Sequence, residues 1–348
     1  MAVLYLTEQQ AVLRKTSDRL RLEKDGELLL EVPCAKIDAV LIFGNVQVTT
    51  QALFELLDHG IELAYLSRSG QLRGQLTPPR AKNLPLRMRQ YETVKDESFR
   101  LGISREVIGA KIASSAAVLR RLRKDHPDEI DRESIERIES ALDAAAEAES
   151  QESLLGIEGS AAARYFKALA RAVPVELGFA HRQRRPPPDP FNALLSFGYV
   201  LAGNELQSLL DALGFDPYLG LLHEMDYGRP SLALDLLEEF RAPLIDRLCL
   251  HLVRLGTLGP TDFEPRDGGI LLARPALQRY LAAYEAEIDR PFRLEPENDP
   301  LPGIGEPPEP AGEASREITF RDLFRRQSER LARTLVQGDT YRAFRLPC

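Results

Sequence analysis

His223, Asp235 and Glu238 fall inside one stretch, LLHEMDYGRPSLALDLLEEF, a leucine-rich run of residues 221–240 that holds one histidine and five acids. At about 100° per residue, the segment SLALDLLEEF places Leu232, Ala233, Leu234, Leu236, Leu237 and Phe240 on one continuous arc. Asp235, Glu238 and Glu239 fill the remaining arc, with Glu238 beside Leu234 at its edge. Asp235 and Glu238 are three apart, so their carboxylates point the same way. Gly228, Arg229 and Pro230 form a turn that lets the chain fold back and bring His223 beside this helix. A neutral imidazole next to two carboxylates is a donor set for a divalent cation. The plain alternative is an amphipathic helix with its acids in water. Glu224, Asp226 and Glu239 are expected in solvent or in local pairs.

Two further stretches carry polar residues in unusual company. In LLGIEGSAAARYFKALA, Gly156, Gly159 and the small residues 160–163 allow another backbone to come close. Glu158 lies above Ala162, Tyr165 and Leu169 on one helical face. A carboxylate topping an apolar face needs an arginine, N–H donors or a metal, or it caps the helix start. In HRQRRPPPDPFNALLSFGYV, Arg182, Arg184 and Arg185 precede a buried helix on which Asn192, Ser196 and Tyr199 recur on one side. Such a polar line must be hydrogen-bonded to something: it braces a neighbouring loop or shapes an active-site wall.

The elements that must position these residues fall into two classes. Residues 1–78 read as a β-rich domain. RLRLEKDGELLLEV alternates Leu20, Leu22 and Leu28, Leu30 about an Asp25-Gly26 turn, a hairpin signal. KIDAVLIF and IELAYL are strands, and TTQALFELLDHG is a short helix between them. Residues 79–90 read as a linker, and 91–348 as an all-α domain. Within it, 291–315 is dense in Pro, Glu and Gly and is expected to be a mobile loop. The fold class is therefore α+β, a small β-rich N-terminal domain followed by a larger helical one.

The chain of 348 residues has a formal net charge of −8, unevenly spread. Residues 80–124 carry twelve Lys or Arg against four Asp or Glu, whereas 125–155 carry two against eleven. A basic surface able to meet phosphates is thus compatible with the acidic total; a solvated helix face is the plainer meaning of such a run. No apolar run is long enough for a membrane span. The start lacks a secretory n-region, and the three scattered cysteines form no zinc or disulfide pattern, so a cytoplasmic protein is expected. Walker A, GxGxxG, GxSxG and HExxH patterns are missing.

In order, GIEGSAAARYF, RRPPPDPFNALLSFGY and LLHEMDYGRPSLALDLLEEFRAPLIDR resemble the CRISPR-associated integrase-nuclease family of the adaptation stage. The resemblance is strong over about 155–290, and the β-rich start agrees in type. It implies a homodimer, dimerising through the N-terminal domain, that pairs with a small ferredoxin-like CRISPR-associated protein. It implies that Glu158, His223 and Glu238 are catalytic and bind Mg²⁺ or Mn²⁺, with Asp235 in support beside Asn192, Ser196, Tyr165 and Arg164. Arg182, Arg184, Arg185, Arg229 and Arg241 would contact DNA. The implied activity is insertion of short double-stranded DNA fragments into repeat DNA by 3′-OH attack on a phosphodiester. A structure-specific DNA repair nuclease and a non-catalytic dimeric DNA-end scaffold are the alternatives.

Overall fold

The computed structural model describes residues 3–67, 70, 72–77, 83–183, 186–224, 226–266, 268–294 and 316–347. The chain forms two compact units, Met1–Arg80 and Ala81–Cys348.

The first unit holds β1 (Val3–Leu6), β2 (Val12–Thr16), β3 (Arg19–Lys24), β4 (Glu27–Pro33), β5 (Ala39–Phe43), β6 (Gln47–Val48), α1 (Thr50–Asp58), β7 (Glu62–Leu66) and β8 (Leu72–Leu76). They make two four-stranded sheets, ordered β1-β5-β7-β8 and β4-β3-β2-β6. β5 lies parallel to β1 and β7, with α1 in the crossover to β7. Leu6, Leu13, Leu20, Val40, Ile42, Leu56 and Leu63 form the core. Asp25 and Gly26 both take positive φ at the hairpin tip, as a two-residue turn between right-twisted strands requires. The expected alternation holds on β3, where Leu20 and Leu22 are buried, and fails on β4, where Leu28, Leu29 and Leu30 are exposed. A register shift opposite Leu22 and Glu23 breaks the period there.

The second unit is mostly helical: α2 (Leu84–Thr93), α3 (Glu97–Asp125), α4 (Arg132–Glu139), α5 (Ala141–Glu147), α6 (Gln151–Leu169), α7 (Pro190–Leu213), α8 (Ser231–Leu237), α9 (Arg247–Arg254), α10 (Arg274–Ile288) and α11 (Phe320–Gln337). Two short hairpins, β9 (Phe263–Arg266) with β10 (Gly269–Leu272) and β11 (Phe292–Leu294) with β12 (Arg316–Ile318), interrupt the expected all-α pattern. The stretch 79–90 expected as a linker is helical from Leu84, because Asn83 caps the amide of Leu86 and Pro85 sits in the first turn. The expected loop 291–315 begins inside β11, and its residues 295–315 lie outside those described. No helix among the described residues is long and apolar enough to cross a membrane.

α7 is the central helix, capped by Asp189 and buried through Phe191, Leu194, Leu201, Leu206 and Leu210. Its Gly198 has no room for a side chain: a Cβ would stand 2.2 Å from the Tyr280 hydroxyl and 2.6 Å from Ile245. α3 packs on α6 and on a π-helical turn, Arg241–Asp246. Pro243 in that turn lacks the amide an α-helix would donate back to Glu239, and single π turns recur at functional sites.

Candidate active site

α6 starts at Gln151, capped by Ser150, so Glu158 stands two turns inside the helix and caps nothing. Its carboxylate turns towards α3, where Lys111 bonds it. The same ammonium lies 2.6 Å from Glu238 Oε2, at the C-terminal end of α8. Lys111 thus bridges two carboxylates delivered by two helices. Arg241, on the π turn, places its Nε 3.0 Å from the same Glu238 oxygen. The guanidinium rests on the Tyr199 ring, 4.4 Å from its centroid.

Asp235 does a different job. Its Oδ2 accepts from the amides of Leu221 and Leu222 at 2.6 and 2.9 Å, and its Oδ1 from the amide of His223 at 3.0 Å. Oδ1 also lies 2.7 Å from His223 Nδ1. A carboxylate so placed is an acceptor, so Nδ1 carries the donated proton, which in the neutral imidazole leaves the lone pair on Nε2. Nε2 faces Glu238 Oε1 at 4.0 Å. Gly220 makes this wrapping possible: a Cβ there would stand 2.7 Å from Ser231 Cβ and 3.0 Å from Asp235 Oδ2.

The helical wheel put Asp235, Glu238 and Glu239 towards water, and all three are buried, at 3%, 2% and 0% exposure. Glu239 belongs neither to solvent nor to a local pair. It accepts from Gln327 on α11 and from the amide of Phe344, both at 2.6 Å, and from the Tyr341 hydroxyl. Burial pushes its carboxyl up to about 7, against the pull of those donors. The C-terminal segment covers the side of α8 that a wheel assigns to water. Burial also works against the charge of Glu238, but Arg241 and Lys111 overcome it and hold this carboxyl well below the ordinary range.

A cavity of about 360 Å³ opens beside these groups, lined among others by Lys111, Glu158, Tyr165, Arg182, Tyr199 and Asp246. Asp246 lies 2.5 Å from the Tyr199 hydroxyl. Burial raises Asp246 to about 6, opposed by the Tyr199 and Tyr165 hydroxyls and by Arg182 and Arg241. Asn192 and Ser196 brace a loop that forms the cavity wall. Arg182 donates to Asn192 Oδ1 at 2.8 Å and to Ser196 at 3.0 Å, while Asn192 Nδ2 donates to the carbonyl of His181 at 2.9 Å.

Not every expected residue joins the site. Arg164 is exposed and bonds the carbonyl of Arg137, outside the cavity. Arg229 sits half-buried in the turn before α8 and does not line the cavity. Arg241, expected as a DNA contact, is half-buried on Glu238, where it supplies a counter-charge, and also lines the cavity. Arg184 and Arg185 lie outside the described residues. Sequence reasoning missed Lys111, counting it among phosphate contacts. Its signal was there: a single cation in the otherwise small and apolar run IGAKIASSAAV.

The donors suit a hard divalent ion: two carboxylates that already close on one cation, and an imidazole nitrogen oriented by a carboxylate behind it. Among the described residues no three His, Cys, Asp or Glu side chains already form a metal cage. Lys111 stands between the two carboxylates instead.

Comparisons with known proteins identify relatives of this chain. The family model for CRISPR associated protein Cas1 matches residues 4–286. A Thermus thermophilus CRISPR-associated endonuclease Cas1 is 36% identical over 291 residues, spanning 83% of this chain and 85% of its own. One from Moorella thermoacetica is 34% identical over 290 residues, 81% and 84% of the two chains. Among solved structures, a casposase bound to integration product superposes with a TM-score of 0.82 at 24% identity, covering 100% of this chain and 94% of that one. A Cas1 protein from Thermotoga maritima gives 0.79 at 24% identity, covering 99% and 100%. A Cas6-RT-Cas1–Cas2 complex gives 0.81 at 22%, covering 100% of this chain and 36% of that chain. The helical unit built around α7 and the β-rich first unit together make this chain a member of the Cas1 family of CRISPR-associated proteins.

Proposed function

We propose that this chain is a divalent-metal-dependent DNA endonuclease and integrase that inserts short DNA fragments into a CRISPR array. The observation that carries the reading is the closure of Glu158 and Glu238, from separate helices, on one shielded cation with His223 Nε2 facing them. The endonuclease names of its relatives and the integration product held by the casposase point the same way.

Glu158, Glu238 and His223 would hold Mg²⁺ or Mn²⁺. Such an ion, when bound, polarises a phosphoryl oxygen and lowers the pKa of an attacking hydroxyl. The chain's own residues set the geometry. Asp235 fixes the His223 tautomer and the loop that carries it. Arg241 keeps Glu238 ionised. Arg182, on the cavity wall, meets the charge of a phosphodiester. A DNA 3′-OH as nucleophile gives joining, and water gives cleavage.

Homodimerisation through the first unit is supported by the exposed leucines of β4 and by Phe54, which is 61% exposed. The small ferredoxin-like partner corresponds to Cas2, with which a structural neighbour is assembled.

The test combines the protein and that partner with a 3′-OH duplex, a plasmid carrying leader and repeat, and Mn²⁺. Joined product that disappears in His223→Ala and Glu238→Ala is expected. Cleavage without joining would make the chain a repair nuclease, and DNA binding indifferent to EDTA with no product would make it a scaffold.

A further inference from the structure

We propose that Lys111 is the resident counter-ion of this site, and that a divalent cation enters by displacing its ammonium. The inference rests on the metal reading above and names the residue that opposes it.

Lys111 is poorly placed for any surface role. It sits mid-way along α3, among Ile108, Ala110 and Ile112, which are buried, and its own side chain is 13% exposed. The ammonium nevertheless touches Glu158 and lies 2.6 Å from Glu238. Without it, the two carboxylates would face each other with only Arg241 as a cation on Glu238 and no other ion pair on Glu158 among the described residues. Carboxylates converging in a shielded place repel strongly. Lys111 relieves that repulsion and holds the pair together while the site is metal-free.

The same position excludes a metal. An ion taken by Glu158 and Glu238 together needs the space between their oxygens, and an ammonium beside it adds like-charge repulsion. Lys111 has somewhere to go, since it lines the 360 Å³ cavity together with Glu158 and Arg241. Swung into that cavity, its charge meets the place where a phosphodiester would lie. Metal entry and the arrival of a cation at the substrate are then one movement.

Two measurements on the full-length chain without DNA test this. The first is Mn²⁺ affinity, read from the EPR signal of free Mn²⁺, with thermal unfolding alongside. If the bridged state is occupied nine-tenths of the time, its removal tightens the apparent Kd by about tenfold. Lys111→Met should therefore bind Mn²⁺ more tightly than wild type, melt lower without metal, and gain more on adding it. Lys111→Arg, which keeps the charge, should bind no more tightly than wild type. Unchanged or weaker binding in Lys111→Met, or equal tightening in Lys111→Arg, overturns the proposal.

The second uses wild-type protein, so it does not depend on a variant folding. Reductive methylation of Lys111, read by peptide mass spectrometry, should rise several-fold when saturating Mn²⁺ is present. Normal Mn²⁺ binding with Lys111 still protected overturns this proposal alone. Failure of wild type and variants alike to bind Mn²⁺ overturns the metal reading together with it.

Discussion

Two buried glutamates in the helical unit show opposite solutions to the same problem. Glu238 is one carboxylate shared by two cations, Lys111 and Arg241. Glu205, on α7, has the reverse: its cation, Arg321, also faces Glu285 and Asp289, at 3.1 and 2.5 Å. Burial disfavours both charges. At Glu238 the cations win, and the carboxyl falls well below its usual range. At Glu205 burial and Glu285 outweigh Arg321, and the carboxyl rises to about 7. Burial alone therefore does not say whether an acid in this fold is charged; the local ratio of cations to carboxylates decides. The first arrangement keeps a buried carboxylate ionised, whereas the second ties α7, α10 and α11 together.

The sharpest way to break that contrast is to remove one charge at a time. Glu238→Gln keeps the shape and deletes the anion that Lys111 and Arg241 share. DNA joining should fall by about 10²–10³-fold, the scale of losing one charge-stabilising group at a reacting centre, as measured by product formed per minute. Activity near wild type would mean that Glu238 is only structural.

Glu205 makes the opposite prediction, and it concerns stability. Its folded pKa, about 7, lies above the ordinary 4.5, so its contribution is fully present below pH 4.5 and lost as pH rises through about 7. Against Glu205→Gln, wild type should lose up to about 3 kcal/mol across that window in denaturant unfolding. A difference that stays flat with pH would remove the contrast between the two acids.

Asp235→Asn is expected to spare more of the joining activity but to disturb the loop, because both carboxylate oxygens accept N–H groups and the amide NH₂ must face donors on one side. A loss of about 10–100-fold in metal affinity or joining is expected, with the melting temperature lowered by the amides left without an acceptor. A loss as large as that of Glu238→Gln would promote Asp235 to a ligand. The smallest effect belongs to Arg164→Ala, which should stay within about 0.5 kcal/mol of wild type and join DNA normally. A large defect there would place DNA on the exposed face of α6.

Much of this was legible in the sequence, and for physical reasons. Donor identity survives in the letters: Glu158 above small residues, and His223 before a turn and an acid-bearing helix, are local patterns. The short helix α1 carries a cap and a stop that can be read directly, Thr49 at its start and Gly60 after its end. What a periodicity cannot contain is what covers a face. The polar arc of α8 looked solvated because its cover comes from far along the chain, Lys111 on α3 and Gln327, Tyr341 and Phe344 near the C-terminus. Lys111 was hidden by its company, a basic segment in which some cations serve the interior. Arg105 holds the carbonyl of Ala148, and Arg100 that of Leu221.

The central claim is that Glu158, Glu238 and His223 share one cation position, which Lys111 fills until a metal arrives. Anomalous diffraction from a crystal of the full chain grown with Mn²⁺ tests it most directly. The account predicts one strong Mn²⁺ peak within bonding distance of both carboxylates and His223 Nε2, with the Lys111 ammonium turned into the cavity. A peak elsewhere, or Lys111 still bridging the two carboxylates under saturating Mn²⁺, would contradict it.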